Sequence, residues 1–134
     1  MRKIMILALC AVTLCSCASK QLTILHVNDT HSHFDALRSG EAGVIERAAY
    51  IDSVRRADGA GNVLLLHAGD FSQGTSYFTL MKGDRETELI NALGYDCITL
   101  GNHEFDNGLE ELGRRLSNIK RGAGKVIQGT HKPL

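Results

Sequence analysis

The sequence predicts an α/β fold in which three parallel strands alternate with three helices, in the order β-α-β-α-β-α. Three observations carry that expectation. Val63-Leu64-Leu65-Leu66 is continuously apolar, the signature of a strand covered on both faces in a parallel sheet. Val44, Ala48, Ile51 and Val54 or Arg55 recur at helical spacing. Two further short apolar runs, at 22–27 and 95–100, lie on either side of these in the chain.

In chain order, Leu22 to Val27 is strand one, and an amphipathic helix covers roughly residues 42–57. Asp58-Gly59-Ala60-Gly61-Asn62 breaks that helix ahead of the second strand. Glu86 to Leu93 reads as the second helix, stopping at Gly94. Tyr95 to Leu100 is strand three, with Cys97 expected in the core. Leu109, Leu112 and Leu116 mark the third helix. Parallel strands joined in this way imply right-handed crossovers.

Each strand is followed by a polar motif: Asp29-Thr30-His31, then Gly69-Asp70-Phe71-Ser72-Gln73-Gly74, then Gly101-Asn102-His103-Glu104. The strand order brings all three to the carboxyl edge of one sheet, where open α/β sheets place their ligands. Asp29 and His31 stand two apart in an extended turn, so their side chains point the same way and can share one metal. Asp70 has glycines on both sides that let the backbone come close, which suits a carboxylate bridging two cations roughly 3.5–4 Å apart. Asn102 offers a neutral amide oxygen. Aspartate, histidine and asparagine together suit Zn²⁺ or Mn²⁺ better than Mg²⁺.

The order D-x-H, GDxxxG, GNHE resembles the metallophosphoesterase (calcineurin-like) superfamily. The wording of residues 26–33 (HVNDTHSH) and 101–106 (GNHEFD) is most similar to its 5′-nucleotidase branch. The resemblance covers roughly residues 20–120 and implies the start of a metallophosphoesterase-type layered sandwich, incomplete at the C-terminus. It implies two divalent metal ions, Zn or Mn, with Asp29 and His31 on the first, Asp70 between them and Asn102 on the second. It gives His103 a contact with the phosphoryl group, to stabilise developing charge or to protonate the leaving oxygen. Asp106 then orients His103; its alternative is to cap the helix near Gly108, a task Asn107 with Glu110 can also perform. The implied reaction removes phosphate from a nucleotide by attack of a metal-bridging hydroxide. A cyclic-nucleotide phosphodiesterase or a nucleotide-sugar hydrolase would use the same residues.

Other polar residues of the motifs are expected to matter less. Glu104 is read as solvated, with a supporting place behind the ligands as the alternative. His33 lies near the site, either touching substrate or a ligand or serving the surface. His26 and His67 are read as satisfied, partly buried histidines.

Arg2 and Lys3 followed by the apolar run Ile4 to Leu14 form a secretory signal, too short for the roughly 20 apolar residues of a spanning helix. Leu14-Cys15-Ser16-Cys17 resembles a bacterial lipoprotein signal, so residues 1–16 would be removed and Cys17 lipidated. The expected location is the bacterial cell envelope, with the chain lipid-anchored and exported. Of four cysteines only Cys97 then remains in the fold, which rules out a disulfide framework or a CxxC zinc pattern. Without Arg2 and Lys3 the chain holds 13 basic against 15 acidic residues and no basic patch of the kind a nucleic-acid polymer requires. The expected partners are a nucleotide or other phosphoester substrate and the membrane at Cys17; no protein partner is inferable.

Residues 17–120 are taken as the N-terminal part of the metallophosphoesterase domain, and residues 121–134 as an aberrant or disordered tail. That tail carries three basic residues and no acidic one, and has no periodicity. Relatives of this kind use later histidines, among them a Gly-His-x-His-like pair, which the single His131 does not match. The expectation is therefore a fragment of a longer enzyme with little or no turnover of its own. The alternative function is a non-catalytic fragment that binds metal or phosphate weakly.

Overall fold

The structure, a computed structural model, describes residues 21–40 and 42–120. The expected signal peptide, Cys17 and the tail at 121–134 lie outside the described residues. The elements run β1 (Thr23–Val27), α1 (Val44–Asp58), β2 (Val63–His67), α2 (Ser76–Met81), α3 (Asp84–Leu93), β3 (Cys97–Ile98) and α4 (Gly108–Ser117). Short 3-10 turns occupy Ala60–Asn62 and His103–Phe105. The three strands form one parallel sheet in the order β1-β2-β3. Val27 pairs with His67 and His67 with Ile98, so all three strands finish level. That registry places the three motif loops side by side at the carboxyl edge.

The elements form for the reasons the sequence suggests. The helical stripe of α1 turns Ile51 inward while Ile45 and Tyr50 face out. In α3, Ile90 is buried, and Gly94 closes the helix in the left-handed region at φ 66° with its N–H on the Ile90 carbonyl. Arg55 on α1 donates to the Leu93 and Gly94 carbonyls at 2.9 and 2.8 Å, tying the end of α3 to α1. Ile51, Leu65, Phe71, Ile90, Tyr95 and Ile98 make the core. Each such side chain contributes about 1.5–3 kcal/mol by leaving water.

Four expectations need correction. Strand three is two residues long rather than six. The Asp96 carboxylate accepts the Leu65 N–H at 2.8 Å, standing where a backbone carbonyl would continue the ladder. Helix α2 has no counterpart in the sequence reading; its six residues are too few to display a period, and Lys82 and Gly83, both at positive φ, separate it from α3. Strand β2 is not covered equally on both faces. Val63, Leu65 and His67 are buried, whereas Leu64 and Leu66 are half-buried among the described residues. Cys97 lies half-buried at the sheet's β3 edge rather than in the core.

Candidate metal centre

The first two motif loops are stitched together by the backbone. Beyond the end of the sheet the N–H groups of Asp29, His31 and Ser32 donate to the carbonyls of Gly69, Asp70 and Phe71, at 3.0, 3.1 and 3.1 Å. The third loop presses against the second. A Cβ on Gly69 would stand 2.6 Å from the Gly101 nitrogen, and one on Gly101 would stand 2.1 Å from Asp70 Oδ1. Glycine is required at both positions because a neighbouring loop occupies the space a side chain would fill.

Asp29, His31, Ser32, Asp70 and Gln73 all hold φ between 42° and 74°, a left-handed conformation that non-glycine residues seldom adopt. Of the described non-glycine residues only Lys82 shares it. Each such residue costs on the order of 1–3 kcal/mol and persists only where its surroundings enforce it. Here the enforcement comes from the loop-to-loop bonds, from Ser32, whose hydroxyl donates to the buried Glu86 carboxylate, and from Arg47, which donates to the His33 carbonyl at 3.1 Å.

His31, Asp70 and His103 each present a ligand atom to a common point, with those atoms within 4.8 Å of one another. The His31 and His103 rings meet edge to face, with centroids 5.1 Å apart. Asp29 Oδ1 lies 3.7 Å from His31 Nε2, while its other oxygen accepts from the Asn28 amide. Asn102 is exposed at the head of the 3-10 turn, one residue before His103. The His103 N–H donates to Asp70 Oδ1 at 3.0 Å, so Asp70 links the second and third motifs directly. Two imidazoles and a carboxylate converging at this spacing are a donor set that fits a divalent cation.

Asp106 accepts from His103 Nδ1 at 2.7 Å. That bond, aided by the charges of Asp106, Asp70 and Glu104 and opposed by partial burial, raises the ring's pKa above the usual imidazole value. The N-cap of α4 is Asn107, with no side-chain cap bond, so Asp106 serves the histidine and not the helix.

His67 is a buried neutral imidazole. Its Nδ1 accepts the Gly69 N–H at 3.2 Å, which leaves the Nε2 proton for Thr30 Oγ1 at 3.0 Å. Burial, with Arg47 adding to it, lowers its pKa to about 4. His26 is exposed on β1 rather than partly buried, because its side of the strand is open among the described residues. His33 lines an open pocket of about 520 Å³ beside Asp29 and His31, together with Asp35, Arg47 and Gln73.

Glu104 departs most from the sequence reading. It is fully buried, and its carboxylate accepts the N–H groups of Gly101, Asp70 and Ser72 at 2.7, 2.9 and 3.0 Å. One carboxylate thus ties the second and third motif loops together from behind. The signal available in the sequence was position alone: an acid in the turn after Asn102-His103, at the crowded end of a sheet.

The calcineurin-like phosphoesterase family matches residues 22–129, and the chain belongs to it. Members of that family bind divalent metals. The chain is 44% identical over 117 residues to a 5′-nucleotidase of Bos taurus, covering 80% of this chain and 20% of that protein. Among solved structures, the 5′-nucleotidase precursor of Thermus thermophilus superposes with a TM-score of 0.66 at 39% identity, over 78% of this chain and 21% of the other. The NAD nucleotidase of Haemophilus influenzae gives 0.65 at 38% identity, over 74% and 19%. The chain therefore spans about a fifth of the length of the curated relatives it matches.

Proposed function

We propose that the chain carries part of the catalytic centre of a metal-dependent phosphoester hydrolase of 5′-nucleotidase type, which removes phosphate from nucleotides. The convergence of His31, Asp70 and His103 on one point, from three separate loops, is the observation that carries this reading. Asp29 and His31 would hold one of two divalent ions, Zn²⁺ or Mn²⁺, Asp70 would lie between the two, and Asn102 would meet the second. Such ions supply an activated water and neutralise charge on the phosphoryl oxygens. Asp106 occupies Nδ1 of His103, which leaves Nε2 to meet a phosphoryl oxygen or to give its proton to the leaving oxygen. The raised pKa of that ring keeps a proton available for the second task.

A second reading, metal or phosphate binding without turnover, is favoured by donor number. Of the expected ligands only Asp70 and Asn102 serve the second cation. Phosphate release from AMP, a cyclic nucleotide and a nucleotide sugar, assayed with Mn²⁺ or Zn²⁺, separates the two. Any turnover that disappears in both Asp70→Ala and His103→Ala supports the hydrolase. Metal binding with no release from any substrate establishes the second reading.

The same proposal places a lipid on Cys17 and the chain at a bacterial cell envelope, on the strength of Leu14-Cys15-Ser16-Cys17. In a bacterial host the wild-type chain should fractionate with membranes and take up labelled palmitate. Cys17→Ala should do neither, and equal labelling of both would sink the assignment.

A further inference from the structure

Behind the centre, a buried cation has no acidic partner among the described residues. Arg115 on α4 is 2% exposed, and it forms no ion pair among the described residues. Its guanidinium instead serves neutral acceptors on two different loops. Nη1 donates to Ser72 Oγ at 2.7 Å, in the second motif, and Nη2 donates to the Glu104 carbonyl at 2.6 Å, in the third. Ser72 is fully buried, and its N–H is one of the three that the Glu104 carboxylate accepts. Arg115, Ser72 and Glu104 therefore close a ring that contains one residue from the second motif loop, one from the third and one from α4.

The surroundings hold the guanidinium where it is. It lies 5.8 Å from the Phe78 ring centroid, and Gly83 makes room for its stem, since a Cβ there would come within 2.4 Å of Arg115 Cδ. Burying an unpaired cation is expensive, and this one is held by its two Nη bonds alone, since Nε has no partner among the described residues. The planar fork of arginine can bridge two acceptors at a fixed angle, which a lysine ammonium cannot do.

We propose that Arg115 is a positioning residue for the metal centre, setting the distance between Asp70 and His103 through Ser72 and Glu104. This rests on the reading of Asp29, His31, Asp70 and Asn102 as metal ligands, with His103 beside them. The test is Mn²⁺ affinity of the full chain, read from the electron-spin signal of free Mn²⁺, with urea unfolding to verify that each variant is folded. Arg115→Lys should bind Mn²⁺ at least about tenfold more weakly, the scale on which supporting contacts act on metal sites. Ser72→Ala should weaken binding by several-fold. The double variant should bind no more weakly than Arg115→Lys alone, because both changes break one link. Arg114→Lys, at the exposed neighbouring position, should bind like the wild type.

Folded Arg115→Lys that binds within about twofold of the wild type, or losses that simply add in the double variant, would overturn the proposal. If Arg115→Lys does not fold, Ser72→Ala decides alone, and unchanged affinity there overturns it. A wild-type chain that binds no Mn²⁺ removes the metal-centre reading itself, an outcome distinct from failure of the Arg115 link.

Discussion

His67 and Glu104 show how one sheet edge settles the state of individual residues. Both stand within a few positions of a motif residue, and both are buried, yet burial acts differently on each. His67 has one acceptor and one donor position, each used by a neutral partner, so the neutral ring is the form that fits. Its pKa is lowered from 6.5 to about 4. Between those two values the unfolded chain binds a proton that the folded chain refuses. The contribution is complete above about pH 6.5 and is lost as pH falls towards 4, amounting to about 3 kcal/mol. Urea unfolding at pH 7.5 and 4.5 measures most of it. The decline should be smaller by about that amount in His67→Gln, which cannot titrate, and an equal decline in both would show that His67 is not the group responsible. Glu104, by contrast, faces three N–H donors, the environment a carboxylate fills best.

At the scale of elements, the strands matter for where they stop. The second and third loops approach so closely that glycine at 69 and 101 is a packing requirement. Gly101→Ala would drive a methyl group into Asp70 Oδ1, which must then rotate away from His31 and His103. Metal affinity should fall at least tenfold, the scale of lost supporting contacts, while far-ultraviolet circular dichroism is preserved. Unchanged affinity would mean that Asp70 is not held by the third loop. The elements themselves were largely legible in the sequence: α1 and α3 show their period, and β1 and β2 their apolar runs. Helix α2 was not, because six residues carry less than two turns of pattern. The shortening of β3 was not, because Asp96 takes a backbone's place in the ladder, a tertiary substitution that no local pattern records.

At the scale of the whole molecule, a ligand that joins three loops should stabilise the folded chain as a unit. Mn²⁺ or Zn²⁺ at about a hundred times its dissociation constant should add about 2.7 kcal/mol to unfolding, and a chelator should reverse the gain. Asp70→Asn should abolish most of the effect. A midpoint indifferent to both metals would argue that the three loops do not share an ion.

What the sequence by itself determined was the order of the strands and the identity of the residues at their ends. Apolar runs and helical periods are local signals, and a parallel sheet converts their order into convergence at one edge. The meeting of His31, Asp70 and His103 at one point was legible for that reason. What only the tertiary structure decided was the support behind them: the burial of Glu104, the neutral state of His67, the left-handed loops and the bridging guanidinium of Arg115. Each depends on contacts between residues that lie far apart in the chain or on different loops. Burial and desolvation are set by everything that surrounds a group, and a linear sequence does not carry that sum.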